Sequence, residues 1–253
     1  MKFLKKAATV VGIAAFWLAL WFIGSRAVNN SLIFPTPFET VKRLCELILE
    51  KDFWIFSVLS LIRTIIGIAI AIPSALIMSA ICSCSVIAKK LFEPAVLIMK
   101  STPVVSFILI AIFIFDREII PSAITFIMIF PVLYRNICEG ISQTSKELLE
   151  MAYIFRIPWM LKIKKIYFHS VAPYFCSALA TSVGLAIKAG IAAEVVAYIP
   201  LSIGKKLSDA KSYMEPADLL AWTAVIIILS LLLEQAARLL LSAITRRTRN
   251  DSN

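Results

Sequence analysis

Residues 139–173, EGISQTSKELLEMAYIFRIPWMLKIKKIYFHSVAP, decide how the chain is arranged. Apolar runs flank this stretch, but its own interior is charged, with Lys146, Glu147, Glu150, Arg156, Lys162, Lys164 and Lys165. Because a bilayer does not accept so many charges in one segment, the stretch is predicted to be a loop outside the membrane. Two short helices are predicted within it, one from about Ser145 to Phe155 and one starting with Pro158, where the missing N–H of proline is tolerated. Such a hairpin on the membrane surface is predicted to bind another protein.

The composition of the chain indicates a membrane protein. Of 253 residues, 60% are hydrophobic and 17% are charged, and the mean hydropathy is +0.88. A soluble domain carries about 25% charged and about 45–50% apolar residues, so the apolar excess must be solvated by lipid. The net charge of +10 could suggest nucleic acid, but the basic residues lie at the ends of apolar runs, as in cytoplasmic loops. No nucleic-acid partner is therefore expected.

Six apolar runs follow one another along the sequence: 7–23, 53–81, 94–115, 119–138, 174–199 and 217–244. With a helical rise of ~1.5 Å per residue, runs of this size cross a hydrocarbon core of ~30 Å. The fold class predicted is an all-α, polytopic membrane helical bundle of about six transmembrane helices. The first run is longer than the apolar part of a signal peptide and lacks a cleavage site, so it is predicted to remain as a span.

The predicted segments are an N-terminal transmembrane helix (1–30), an outer amphipathic helix (31–52), a core (53–245) that contains the 139–173 loop, and a basic tail (246–253). The second segment has apolar residues at helical spacing from Phe38 onward and is too polar to span. The amino end, Lys89 and Lys90, the 139–173 loop and the tail are net basic, which places them and both termini in the cytoplasm. Only Lys205, Lys206 and Lys211 disagree with this orientation.

Catalytic and nucleotide-binding motifs are missing from the sequence. No glycines frame the GxxxxGK[ST] phosphate cradle, so ATP is not expected to bind to this chain in the P-loop manner. His169 is the single histidine, and neither HExxH nor GxSxG occurs. The five cysteines form no CxxC pair, so neither a disulfide framework nor a metal site is predicted. The chain is not expected to be an enzyme.

Two charged residues in the fifth run, Lys188 and Glu194, need a physical explanation. Each ionised group costs about 2.5–3.5 kcal/mol within a bilayer unless it is paired or faces water. Six residues apart on a helix, the two side chains point in different directions and do not pair along one face. Two interpretations stay open: polar contacts in a bundle or dimer seam, or the lining of a translocation path. Arg63 in the second run and Lys100 in the third are further candidates for that path.

The loop and the fifth run together resemble the permease subunits of ATP-binding-cassette (ABC) importers of the nitrate, sulfonate, taurine and bicarbonate type. Those permeases carry a cytoplasmic loop of the form E-A-A, three residues, G, nine residues, I-x-L-P. Here Glu150-Met151-Ala152 stands at E-A-A, Ile166 at the isoleucine, and Ala172-Pro173 resembles the segment just after it. Met151 departs from the pattern, as do Arg156 at the glycine and His169 at the last proline. Pro158 supplies a different break after Arg156.

Further segments carry the same resemblance over about residues 31–245: FPTP at 34–37, LIRT at 61–64, TP at 102–103 and GLAIKAGIAAEVV at 184–196. The resemblance implies a type I importer permease fold and two permease subunits that form the path, and a homodimer is expected. It also implies that the short loop helix docks in an ATPase subunit, with Glu150 meeting a basic group there. ATP and Mg would be bound by that ATPase, and none by this chain. An extracytoplasmic solute-binding protein would deliver the solute.

The resemblance thus implies a permease in the bacterial plasma (inner) membrane for a small polar or anionic solute, of the sulfonate, nitrate, taurine, bicarbonate or vitamin-precursor type. A cationic lining of Lys188, Arg63 and Lys100 would suit an anion. The alternative is an ATPase-independent secondary transporter or channel, which is usually longer or shows inverted repeats. A membrane-embedded enzyme is a third class, for which the sequence offers no assembled site.

Overall fold

The computed structural model describes residues 2–28, 30 and 32–250. The side chains at 1–8, 10, 240 and 242–253 also lie outside the described residues, and with them the basic ends on which the predicted cytoplasmic termini partly depend. Within the described part every regular element is helical. In order the helices are α1 (Lys2–Val28), α2 (Pro37–Leu49), α3 (Lys51–Cys84), α4 (Val86–Ser101), α5 (Val104–Ile114), α6 (Ile120–Ser142), α7 (Lys146–Ile154), α8 (Trp159–Lys162), α9 (Phe168–Ala197), α10 (Ile203–Ser212) and α11 (Pro216–Asn250).

Five helical segments of the described chain are long and apolar enough to cross a membrane. They are Val11–Val28, Lys51–Cys84, Arg117–Ser142, Trp159–Ala197 and Pro216–Leu239. The helices α4 and α5 form a sixth span if they are counted together. The predicted all-α membrane bundle of about six spans is confirmed.

The third apolar run, 94–115, was predicted to form one transmembrane helix. In the structure it is divided between two helices, α4 and α5. The axes of α4 and α5 differ by 106° at a break between Ser101 and Val104. Thr102 has ψ 135°, because the ring of the following Pro103 disfavours the helical conformation of the residue before it. Pro103 also has no N–H to continue the helical hydrogen bonds.

The second helix of the predicted hairpin is not a separate surface helix. A π-helical turn, Ile163–Tyr167, joins α8 to α9. The two helices and the turn therefore form one continuous helical segment from Trp159 to Ala197. Pro158 lies just before the first helical residue and not within the first turn. The fifth span is therefore continuous with the loop.

The centre of the bundle is the packing of α6 against α9 and α3. A Cβ atom on Gly67 of α3 would lie 2.6 Å from Thr125 Cβ of α6, and one on Gly190 of α9 would lie 3.0 Å from both Thr64 Oγ1 and Thr125 Oγ1. Ala186 and Ala193 of α9 are fully buried. Small residues at these positions let the three helices approach closely, as is common in membrane interiors.

The segment predicted to be an outer amphipathic helix does form a helix, α2, with a capping box at its start. The Thr36 hydroxyl accepts the Glu39 N–H at 3.2 Å, and the Glu39 carboxylate accepts the Thr36 N–H at 2.8 Å. Thr40 and Leu47 are buried, whereas Phe38 and Leu49 are exposed. The side chain of Arg43 forms hydrogen bonds with Asp218 at the start of α11, which fixes α2 against the bundle.

Candidate functional site

The loop between the fourth and fifth spans is built around the well-capped helix α7. The Ser145 hydroxyl accepts the Leu148 N–H at 3.2 Å at its first turn. The same hydroxyl donates to the exposed Glu147 carboxylate, and this bond lowers the pKa of that carboxyl. A defined α7 therefore forms close to the predicted range of Ser145 to Phe155.

Arg156 ends α7 in a left-handed backbone conformation, with φ 49°. Its N–H donates to Tyr153 O at 3.1 Å, and the N–H of Ile157 donates to Ala152 O at 2.9 Å. These two bonds form a Schellman motif, which usually places glycine at the left-handed position. The turn that the resemblance assigns to a glycine is thus formed here with an arginine in it.

The loop has a buried side that packs against the protein and an exposed side that is largely apolar. Ala152 is 1% exposed and Ile166 is 7% exposed, so these two side chains hold α7 and the π-helical turn to the protein. On the outer side, Tyr153 is 81% exposed and Phe155 is 74% exposed. Other exposed apolar residues of the loop are Leu148, Met151, Ile154, Trp159 and Met160. Exposed apolar surface of this kind is typical of a surface that contacts another protein or the membrane.

The structure separates the predicted loop residues into two groups. Ala152 and Ile166 are buried, while Glu150, Met151, Arg156 and Pro158 are exposed near the tip. Pro173 lies one third of the way up the continuous helix, inside α9. Pro173 is exposed as well, so of the predicted loop residues only Ala152 and Ile166 are buried.

A second group of predicted residues meets in a buried polar cluster at the other end of the bundle. Glu194 of α9 is 1% exposed, and its carboxylate accepts hydrogen bonds from Ser60 Oγ of α3 at 2.8 Å and from the N–H of Gly204 at 3.2 Å. Arg63 Nη1 lies 3.5 Å from the same carboxylate. The Ser60 hydroxyl also accepts the N–H of Ile203 at 3.0 Å. These contacts satisfy a carboxylate that would be costly if it were buried alone.

Arg63 connects this cluster to two further segments. Its Nη2 donates to Glu118 Oε2 at 2.6 Å, in the 3₁₀ turn Arg117–Ile119 that precedes α6. Its Nη1 and Nη2 also donate to the carbonyls of Leu201 and Pro200, each at 3.4 Å. One guanidinium thus holds α3, the turn before α6 and the α9–α10 connection together.

The start of α10 lies directly against Glu194. A Cβ atom on Gly204 would be 2.3 Å from Glu194 Cβ and 2.6 Å from the backbone nitrogen of Val195, so only glycine fits there. The first N–H groups of a helix carry partial positive charge, which favours a carboxylate at this position. Gly204 therefore allows the α10 N-terminus to bind Glu194.

The other two residues predicted for the path are placed differently. Lys188 of α9 and Lys100 of α4 are exposed, and neither forms an ion pair with the described residues. Lys188 and Glu194 do lie on different faces of α9, as their spacing requires. The structure therefore joins Arg63 and Glu194 and leaves Lys188 and Lys100 apart from them.

Sequence reasoning missed three members of the cluster: Ser60, Glu118 and Gly204. Ser60 lies 134 residues from Glu194 and Glu118 lies 55 residues from Arg63, so no local spacing reveals these pairs. One signal was present, because Ser60 and Arg63 are three residues apart and share a face of α3.

A bundle of about six apolar helices, with a capped and apolar-faced helix in the loop between two of them, defines a multi-pass membrane protein. The family model described as binding-protein-dependent transport system inner membrane component matches residues 71–250, from the second half of α3 to the end of α11. The chain belongs to this family, and it is the permease component of an ABC importer.

A solved structure supports the fold. The chain is similar to the protein described as "Crystal structure of an amino acid ABC transporter with histidines", with a TM-score of 0.59 and 13% sequence identity. The similarity covers 75% of this chain and 91% of the other. At this identity it shows the fold alone. A comparison with curated proteins gives no match.

Proposed function

We propose that this permease, with a second copy of itself, forms the path for a small polar or anionic solute across the bacterial plasma membrane. A separate ATPase subunit binds ATP and Mg and drives the movement through the 139–173 loop. A solute-binding protein delivers the solute on the outer side. Solutes of the sulfonate, nitrate, taurine, bicarbonate or vitamin-precursor type fit this proposal.

The observation that carries the proposal is the surface of α7. A helix that is fixed by Ala152 and exposes Tyr153, Ile154 and Phe155 has the form of an element that fills a groove in another protein. Glu150 lies exposed on the same helix and would meet a basic group at the edge of that groove. Met151, also exposed, takes part in the same contact.

The connection from α7 to the spans supports a coupling role. The Schellman turn at Arg156 and the start of α8 after Pro158 leave no flexible linker between α7 and the helix Trp159–Ala197. A rigid displacement of α7 by a closing ATPase would therefore move α9, and α9 carries Glu194 at the opposite end. Such rigid-body movement of packed helices is a common way to change access.

The cationic residues support an anionic solute. Arg63, Lys188 and Lys100 all lie on or beside spans, and Arg63 is the one that the cluster with Glu194 holds in place. Lys188 and Lys100 are proposed to line the path on faces that are open in the single chain. We propose the orientation that the basic segments predict, in which the 139–173 loop and both termini are cytoplasmic and α2 and α10 lie on the outer side.

Purification of the full chain from its own membranes tests the coupling proposal. A protein with a P-loop ATPase sequence is expected to co-purify with the wild type. Tyr153→Asp, which places a charge in the docking surface, should remove most of it. The matched control is Tyr213→Asp, the same change at a tyrosine that is 74% exposed on the outer side, after α10.

Retention of the ATPase by Tyr153→Asp at the wild-type level would contradict docking through α7. Absence of any ATPase from the wild-type preparation would favour an ATPase-independent mechanism.

A further inference from the structure

An open groove of about 560 Å³ lies between α3 and α6. Its walls are mostly apolar and include Ile62, Ala123 and Phe126, with Ser122 among the few polar members. Arg63 and Glu118 complete the lining. A volume in the range of about 300–1,000 Å³, apolar walls and few polar groups are typical of a small-molecule site.

The two carboxylates bound to Arg63 differ in their access to solvent. The side chain of Glu194 is 1% exposed, whereas that of Glu118 is 62% exposed, and Arg63 between them is 10% exposed. Glu194 is held by three groups, Ser60, Gly204 and Arg63, while among the described residues the Glu118 carboxylate bonds to Arg63 alone. Glu118 is therefore the partner that can leave Arg63 without disturbing the cluster.

The local charge also permits an exchange at Arg63. One guanidinium faces two carboxylates, so an external anion that replaces the Glu118 carboxylate leaves the local charge unchanged. A sulfonate or carboxylate oxygen accepts the same charge-assisted N–H bond that Glu118 accepts now. Glu118 belongs to a three-residue turn, and its side chain can swing outward while α6 stays folded.

We propose that the α3–α6 groove binds a small organic anion, whose acidic group takes the place of Glu118 on Arg63 and whose apolar body lies along the groove. The inference rests on the proposed function, since the ligand is the transported solute, and it narrows the solute class. Anions without an apolar body, such as nitrate and bicarbonate, use only the Arg63 end. Glu118 acts as an internal competitor, and its release frees the turn before α6 from α3.

Calorimetric titration of the purified transporter complex, in nanodiscs of zwitterionic lipid, tests the site with butanesulfonate as the probe. Removing the competitor with Glu118→Gln should raise the affinity by about tenfold or more, because a site that is open for only a fraction of the time loses apparent affinity by that fraction. Asp116→Asn is the matched control on the same exposed turn and should bind like the wild type. Butyltrimethylammonium, with the same chain and the opposite charge, should not bind.

Two further variants examine the two ends of the site. Arg63→Gln should abolish binding in the Glu118→Gln background. Because Arg63 also holds the buried Glu194, that change affects folding as well as binding. Ala123→Phe supplies an independent test: it fills the groove while leaving Arg63 intact, and it should weaken butanesulfonate binding in a protein with the wild-type melting temperature.

Equal affinities for the wild type, Glu118→Gln and Asp116→Asn would overturn the proposal, as would the absence of binding to all three. If the complex nevertheless contains its ATPase, the transport function stands and only the groove site fails. If the ATPase is missing from the preparation, the coupling proposal fails whatever the anion titration shows.

Discussion

Arg156 adopts a left-handed conformation, φ 49°, that costs a residue with a side chain about 1–2 kcal/mol relative to its usual helical or extended states. The Schellman hydrogen bonds of α7 hold it there. Tyr198, Leu201 and Met214 are in the same region, and no described glycine is. The chain thus ends several helices with strained residues where glycine would be relaxed.

Arg156→Gly should therefore stabilise the protein by about 1 kcal/mol, because glycine has no Cβ to clash at positive φ. The measurement is thermal unfolding of the chain in detergent. Lys162→Gly is the matched control, a basic residue of the same loop with φ −60°, and it should destabilise by about 1 kcal/mol. Equal effects of the two changes would show that Arg156 carries no strain.

Gly204 is the residue on which the contact between α10 and Glu194 depends. In Gly204→Ala the new methyl group would lie 2.3 Å from Glu194 Cβ, so α10 must shift and its N–H to the Glu194 carboxylate is lost. Overpacking of this kind costs about 1–3 kcal/mol. Gly12→Ala in α1, which has nothing within 4 Å, is the control and should not destabilise. A wild-type melting temperature for Gly204→Ala would contradict this packing.

At the scale of elements, the attachment of α2 to α11 depends on Arg43. The guanidinium binds both carboxylate oxygens of Asp218, with Nη2 at 3.0 Å from Oδ2, and it also lies 3.3 Å from Glu46 and 3.5 Å from Glu50. The hydrogen bond with Asp218 raises the pKa of Arg43 above its ordinary value. A raised pKa gives stability that is fully present below the unfolded value, so Arg43 contributes over the whole neutral pH range.

Arg43→Lys should loosen α2, since an ammonium group cannot form the two-pronged contact with Asp218. We expect faster amide hydrogen exchange over Pro37–Leu49 and a loss of about 0.5–1 kcal/mol, as the pair is partly exposed. Lys42→Arg on the exposed face of the same helix serves as the control. Unchanged exchange in Arg43→Lys would mean that Leu47 and the other buried side chains alone hold α2 in place.

Prolines show what the sequence could predict about elements and what it could not. The apolar runs predicted the spans, because lipid excludes polar residues from such segments. Pro73 and Pro131 lie inside continuous helices, whereas Pro103 marks a bend of 106° between α4 and α5. Whether a proline breaks a span depends on the neighbouring helices, and the local sequence does not contain that information.

At the scale of the molecule, the long helix Trp159–Ala197 joins the two candidate sites. It starts beside the exposed face of α7 and ends three residues after Glu194, and at ~1.5 Å per residue it is about 60 Å long. The all-α membrane fold and membership of the ABC importer permeases were predictable from the sequence. The nitrate or sulfonate type, the homodimer and the path residues stay predictions.

The polar cluster could be predicted only in part. Arg63 and Glu194 stood out because charges in apolar runs are expensive, but their contact spans 131 residues of chain. Glu118 lies in the turn at the start of the fourth span and Gly204 lies in α10, where a charged residue or a glycine is ordinary. Their roles follow from the tertiary packing of α3, α9 and α10, which no spacing in the sequence encodes.

ATP hydrolysis by the complex of this chain with its ATPase, in nanodiscs and with the solute-loaded binding protein, tests the coupling of α7 most directly. Glu150→Lys reverses a charge at the docking surface and should reduce the stimulated rate by about tenfold or more. Glu215→Lys makes the same change at an exposed residue between α10 and α11 and should keep the wild-type rate. A wild-type rate for Glu150→Lys would contradict coupling through this loop.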